Sequence, residues 1–300
     1  MTRQTSCVAM LLFGLLLAMG VGQDSPVEAG VFCKLRQRIW RRPCRSTVQA
    51  CRSPCRADEP QIAVDKNWGD LTLRFTYAGK PPQPKRLPTF GIELPFPAPL
   101  GDSLVVGACG ELANVLVYLR PARDQAVKIH PDYAVLTDKP VRLTIKGGMF
   151  RPHMLTVWNK RRLKIVNADP SQHTARITFF ANDSINVLIP SKGSYFVQLS
   201  ATEILPVFIY CNIYPWMKAC LLVRDNPYMA VSAKDGTLTI KNLPVGEWEF
   251  QLWHEKWGYL SQVEWNGKPT AWYRGRPTFT IKPGENDFGT VKVDPKVFER

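Results

Sequence analysis

Apolar and polar residues alternate along most of the chain with a period of two, and the runs are short. The clearest is 71–77, LTLRFTY, in which Leu, Leu and Phe fall on one face and Thr and Arg on the other. Side chains of an extended strand point alternately to opposite faces, so this pattern predicts a half-buried strand. Further strands are expected at 114–119, 141–145, 154–157, 163–167, 175–179, 185–189, 195–199, 207–211 and 219–223. Beyond these come 228–231, 237–240, 248–254, 262–265, 278–281 and 290–293. Gly, Pro and Asn separate the runs. Asp235-Gly236 and Asn266-Gly267 are strong hairpin signals, because such pairs accept the positive φ that tight turns require. No long window carries helical periodicity, although a turn or two of helix fits 214–219. The pattern predicts an all-β chain built of sandwiches or barrels.

Between these runs, segment 80–99 is rich in proline and lacks periodicity, and reads as a long irregular connection over the surface. The beginning of the chain is different again. Arg3, the apolar run 8–19 and the small residues 18–22 have the form of an export signal, too short for a comfortable membrane span. The expected organisation is a signal at 1–22, a basic cysteine-containing arm at 23–62, and a β segment with the proline-rich connection at 63–134. Two β-sandwiches follow, at 135–225 and 226–300. No membrane-spanning segment is expected, and the expected location is outside the cytoplasm, in a bacterial periplasm or at the cell surface.

Charge and cysteine content sharpen this picture. The formal net charge is +14. Eight basic residues lie between Lys34 and Arg56 with no acid among them. Such a run seeks anionic surfaces; in an exported protein these are cell-envelope polymers, anionic lipids or an acidic redox partner rather than nucleic acid. Cys33, Cys44, Cys51 and Cys55 lie in the same window, separated by ten, six and three residues. An oxidising compartment favours two disulfides among them, in any of three pairings, over a zinc site, whose common spacings these do not match. The chain contains no Gly-x-Ser-x-Gly elbow, phosphate-binding glycine loop or His-Glu-x-x-His. A non-enzyme is expected.

The candidate chemistry lies where two of the predicted strands end. The run 163–167 leads through Asn-Ala-Asp-Pro-Ser-Gln to His173, and the run 207–210 leads to Cys211 and the loop Cys211-Asn212-Ile213-Tyr214-Pro215-Trp216-Met217. Imidazole, thiolate and thioether donors on loops at one end of a sandwich suit a copper site with a trigonal N/S plane and a weak axial sulfur. In this arrangement the chain resembles the cupredoxins, whose loop reads Cys-x-x-His-x-x-Met. It is similar, more narrowly, to exported bacterial proteins often labelled methylamine-utilisation proteins, which join a cupredoxin-like domain to a carboxypeptidase-regulatory-like β-module. The matching segments are 101–119, 150–157, 163–173, 211–260 and 281–293.

The resemblance implies a cupredoxin-like Greek-key sandwich followed by a carboxypeptidase-regulatory-like sandwich, with His173, Cys211 and Met217 as copper ligands. Tyr214 stands where the second histidine belongs. A phenol releases its proton only near pH about 10 and is a hard oxygen donor, a poor substitute for imidazole. His153, in Phe150-Arg151-Pro152-His153, is a second source of imidazole. Gly148 is a further departure, standing where the family often has cysteine. The leading expectation is a degenerate copper site with weak or absent copper, in a protein with a binding or structural role at the envelope. The alternative is an electron-transfer protein using His173, Cys211, Met217 and either Tyr214 or His153. For Cys211, an inert core thiol or a disulfide to Cys220 or Cys109 remains open.

Overall fold

The computed structural model describes residues 66–298. The expected export signal, the basic arm and its four cysteines lie outside the described residues. Within them the protein is all-β, with three short 3-10 turns as its helical content. Strands β1 (Trp68–Tyr77) and β2 (Val115–Leu119) come first. The middle of the chain supplies β3 (Val141–Ile145), β4 (Phe150–Arg151), β5 (Met154–Trp158), β6 (Leu163–Asn167) and β7 (His173–Ile177), then β8 (Ile185–Ile189), β9 (Ser194–Val197), β10 (Val207–Tyr210) and β11 (Lys218–Arg224). The last stretch supplies β12 (Met229–Val231), β13 (Thr237–Pro244), β14 (Gly246–His254), β15 (Gly258–Tyr259) and β16 (Gln262–Trp265). It ends with β17 (Lys268–Ala271), β18 (Thr278–Ile281) and β19 (Gly284–Val293). Among the described residues no helix is long and apolar enough to cross a membrane.

The middle strands form two sheets, β4-β3-β6-β9 and β5-β11-β10-β7-β8. Their facing sides share one apolar core that includes Leu143, Ile165, Ile177, Ile209 and Leu221. Two of the pairings, β3 with β6 and β11 with β5, are parallel. The remaining strands form β13-β1-β19-β16-β17 and β12-β2-β14-β15, with β18 also paired to β14. Leu71, Leu73 and Phe75 of β1 are fully buried between these two sheets, as the period-two pattern requires.

The sequence suggests a separate β segment at 63–134 and a self-contained module from 226. The pairing differs. β1 lies between β13 and β19, and β2 lies between β12 and β14. The second sandwich is therefore assembled from both ends of the described chain, and the middle sandwich is inserted between its β2 and β12. Sequence periodicity has no means of showing this, because it describes strands and not their partners.

β2 and β11 are apolar without alternation because both of their faces are covered. Val115, Val117 and Leu119 point into the core of the second sandwich, while Leu116 and Tyr118 point the other way. On β11, Ala219, Leu221 and Val223 enter the middle core, and Cys220 and Leu222 face outwards from it. The outward sets meet. Leu116, Tyr118 and Trp253 pack with Met154, Cys220 and Leu222 in a third apolar layer, the seam between the sandwiches. Strands covered on both faces read as continuous apolar runs.

The connection at 80–99 is irregular, as expected, with an isolated bridge between Arg86 and Leu100. It is also part of the middle core's cover: Leu87, Ile92, Leu94 and Phe96 pack against that core. At the end of β7 remote from His173, the buried Glu203 carboxylate accepts the backbone N–H groups of Phe180, Ala181 and Asn182 and the Asn182 amide, at 2.7–3.1 Å. Replacing Glu203 by Ala leaves four donors without their acceptor. A loss of about 2–4 kcal/mol is expected by chemical denaturation, with Glu203→Gln losing less because it keeps one oxygen.

Candidate metal centre

The pole of the middle sandwich is built from three connections: 146–149, 167–172 and 211–217. Asn167, the last residue of β6, fixes the second of these. Its side-chain amide donates to the carbonyls of Ser171, Ile189 and Pro190 at 2.8–3.1 Å, and its Oδ1 accepts the Asp169 N–H at 3.0 Å. Pro170 then stops any continuation of the strand. Asp169, 4% exposed, is aimed inwards and accepts the N–H groups of Gly147 at 2.6 Å and Gly148 at 2.9 Å. Both glycines have positive φ, 61° and 63°, and their adjacent N–H groups form a small anion-binding concavity for the carboxylate.

The same carboxylate orients the imidazole. Asp169 Oδ2 lies 3.1 Å from His173 Nε2, and Ser171 Oγ lies 3.4 Å from the same nitrogen. His173 is the first residue of β7, slightly earlier than the strand expected from 175. It is fully buried, and its other nitrogen, Nδ1, has no hydrogen-bond partner. An unsatisfied buried nitrogen is unfavourable by about 1–3 kcal/mol, and Nδ1 is the ring atom left open to a ligand.

Cys211 follows β10, which pairs with β7. Its sulfur accepts from the Thr174 N–H at 3.4 Å and the Thr174 hydroxyl at 3.6 Å, so it lies beside the residue following His173. Burial pushes the thiol pKa up, but the neighbouring His173 imidazole, the N–H groups of Thr174 and Tyr214 and the Thr174 hydroxyl together outweigh it. The net effect is a fall to about 7. Cys211, Cys220 and Cys109 are all free thiols, so no bridge removes Cys211 from the site.

The loop closes on itself. The Met217 N–H donates to the Tyr214 carbonyl at 3.0 Å, and the Cys211 N–H donates to the Met217 carbonyl at 3.4 Å. Cys211 and Met217 thus continue the β10–β11 ladder one step past its last pair, Tyr210 and Lys218. The helical turn that fits 214–219 does not form, because this ladder already takes those backbone groups. Met217 is fully buried in the same core as Cys211 and Tyr214. The Tyr214 ring lies against the His173 ring with centroids 4.8 Å apart, and against Trp216 at 5.3 Å.

Phe96, from the proline-rich connection, covers Tyr214 at 6.1 Å. A Cβ on Gly148 would lie 2.3 Å from the Phe96 ring, so the cysteine often found here in the resembled family has no room. The Trp216 indole N–H donates to the Gly148 carbonyl at 3.2 Å and ties the loop to the same turn. His173, Cys211, Met217 and Tyr214 therefore share one dry pole. His153 does not join them. It sits at the seam, with Nδ1 2.9 Å from Asp102 and Nε2 in contact with Glu255. Sequence reasoning missed Asp169 and Phe96. An aspartate before proline reads as an ordinary turn, and nothing in a proline-rich stretch identifies which side chain folds inwards.

No protein-family profile matches the chain, and no curated protein matches it. Among solved structures, similar chains include a proline-to-alanine variant of oxidised amicyanin. It is 11% identical over 28% of this chain and 82% of that one, with a TM-score of 0.26. The copper-containing nitrite reductase of Thermus scotoductus SA-01 is 18% identical over 35% of this chain and 25% of its own, with a TM-score of 0.27. A purple cupredoxin from Nitrosopumilus maritimus is 14% identical over 28% and 99%, with a TM-score of 0.24. Likeness at this level leaves the chemistry of the pole to be argued from its own residues.

The cover makes a measurable difference to the thiol. Cys211 is buried under its loop while Cys109 is exposed. In native protein, iodoacetamide is expected to label Cys109 and spare Cys211, as followed by mass spectrometry. Phe96→Ala should raise Cys211 labelling by about tenfold or more, since thiol reaction requires access, and leave Cys109 unchanged.

Proposed function

We propose that the pole binds copper weakly, as the cuprous ion, and that the protein is a non-catalytic copper-binding protein of the bacterial envelope. The observation that carries this is the orphaned, fully buried Nδ1 of His173 next to the Cys211 thiol. A soft donor set of one imidazole, one thiolate and one thioether, from His173, Cys211 and Met217, favours Cu(I). The residues fit such an ion. Bound copper would supply the redox and thiolate charge-transfer chemistry of a cupredoxin-type centre. The protein's own contribution is to orient the imidazole through Asp169, keep the thiol near its ionised form, and exclude water with Phe96, Tyr214 and Trp216.

Tyr214 argues against a blue electron-transfer centre. It occupies the position where the resembled family has its second imidazole, and a phenol does not support the trigonal Cu(II) arrangement. His153 offers no replacement, since both of its nitrogens face carboxylates. In the same proposal the protein acts outside the cytoplasm. Its basic segment at 23–62 faces an anionic envelope surface or an acidic redox partner.

Anaerobic Cu(I) titration of the full chain against a chromophoric chelator tests the reading. About one equivalent should bind with Cys211 and His173 intact, and Cys211→Ser or His173→Gln should abolish it. With Cu(II) the native protein should not turn intensely blue. Tyr214→His, which adds the missing nitrogen, should produce the blue absorption and tighter binding. An intensely blue native protein would favour the electron-transfer reading. Absence of Cu(I) binding in both native and Tyr214→His protein would leave only a structural or binding role.

A further inference from the structure

Away from the pole, the seam between the two sandwiches gathers a second set of donor atoms. His153 lies in the short connection between β4 and β5, and its carbonyl accepts the Cys220 N–H at 2.8 Å. Cys220, on β11, turns its side chain away from the middle core and into the seam. Glu255 follows the end of β14 and arrives from the second sandwich. One nitrogen of His153, the sulfur of Cys220 and one oxygen of Glu255 all lie within 4.8 Å of one another. The His153 and Cys220 residues are 6% and 0% exposed, and the Glu255 side chain is 3% exposed. Among the described residues, no other group of three or more histidine, cysteine and acidic side chains converges in this way.

We propose that His153, Cys220 and Glu255 form a zinc-class site that joins the two sandwiches. Two features support it. The donor types fit, since imidazole nitrogen, thiolate sulfur and carboxylate oxygen are the ligands that Zn2+ takes in tetrahedral sites. Bonds of about 2.0–2.3 Å set such donors about 3.3–3.8 Å apart; the three donor atoms already lie within 4.8 Å of one another, so Cys220 needs to close by at most about 1 Å while the His153–Glu255 contact opens to admit the ion. The second feature is orientation. Nε2 of His153 faces Glu255, while Nδ1 lies 2.9 Å from Asp102. A carboxylate on the far nitrogen is the usual partner of a metal-bound histidine, fixing its tautomer and ring plane. Asp102 is itself held by Arg151 at 2.9 Å.

The charged groups that face the site are the Glu255 and Asp102 carboxylates and the Lys218 ammonium, 2.8 Å from Glu255. A divalent ion bound between His153, Cys220 and Glu255 takes a thiolate and a neutral imidazole, and the protons these groups give up pass to solvent. Metal–nitrogen, metal–sulfur and metal–oxygen bonds form, and no oxidation is involved. Three protein ligands leave a fourth position for water, and the one-third-exposed Lys218 side chain holds the other oxygen of Glu255.

Cobalt(II) is the probe, because its thiolate complexes absorb where zinc complexes do not. The full chain, reduced and stripped of metal, is titrated with Co2+ and then with Zn2+. The expected result is one equivalent of Co2+ with thiolate charge-transfer absorption that Zn2+ quenches. This signal should persist in Cys211→Ser, which removes the pole thiol, and vanish in Cys220→Ser. Glu255→Gln, close in volume to the native side chain, should weaken Zn2+ binding about a hundredfold, and Asp102→Asn about tenfold. Melting curves of the metal-free variants establish that each is folded; if Cys220→Ser is not, Glu255→Gln decides. The proposal is overturned by absence of the cobalt signal in the native chain. It is equally overturned by a signal that survives Cys220→Ser, or that is lost in Cys211→Ser alone, and by Zn2+ affinity unchanged in Glu255→Gln.

Discussion

The arrangement of the protein depends on two strands that are apolar on both faces. β2 and β11 each contribute to the core of their own sandwich and, with their other faces, to the seam. Burying the second face removes from water an area that would otherwise be an exposed apolar patch on each sandwich. Four sheets therefore stack with three apolar layers between them. Everything that approaches the seam is fixed by that packing, including His153 and Cys220 from one side and Glu255 from the other. Tyr118, whose phenol pKa burial raises to about 12, has the Arg224 guanidinium 5.2 Å from its ring centre, so the seam's aromatic is packed on its polar side as well.

The pole depends on the opposite kind of constraint, a network of polar contacts in a dry place. Asn167 holds the turn, the turn holds Asp169, and Asp169 holds both the glycine pair and the histidine. Buried polar groups are stable only when each finds a partner. In this network His173 Nδ1 is the exception. The aromatic cover explains why the exception is tolerable for function: a soft metal ion held there would meet sulfur and nitrogen and little water.

Much of this was readable from residue order alone. The period-two runs located most of the strands, and the Asp-Gly and Asn-Gly pairs marked turns that the structure contains, with Gly236 and Gly267 at φ of 75° and 79°. The grouping of His173, Cys211, Met217 and Tyr214 was suggested by strand ends, loop spacing and the resemblance to the cupredoxins. What escaped was long-range. The parallel pairing of β1 with β19 joins residues more than two hundred positions apart, and hydrophobic alternation carries no information on that partnership. His153 looked like a spare ligand for the pole because sequence places it near other pole elements, yet Asp102 and Glu255 hold it at the seam. Cys220 looked like a disulfide partner for Cys211 because strand β11 offered no sign of which face its odd and even residues would take.

The insertion of one sandwich into the other also sets an order of events during synthesis. β1 has both of its ladder partners, β13 and β19, on the far side of the inserted sandwich. The ribosome must extend the chain by more than 150 residues before the first of them emerges, a delay of about ten to thirty seconds at ordinary elongation rates. During that interval Leu71, Leu73 and Phe75 have no sheet to enter, while the middle sandwich already has all its strands. An unpaired apolar strand is an open template for other chains. The strand flanks offer a physical defence: Arg74 and Lys66 on the strand side and the lysines and prolines of the connection that follows keep the waiting segment charged and hard to extend. The nascent protein thus carries a completed sandwich beside two strands, β1 and β2, that still wait for their partners.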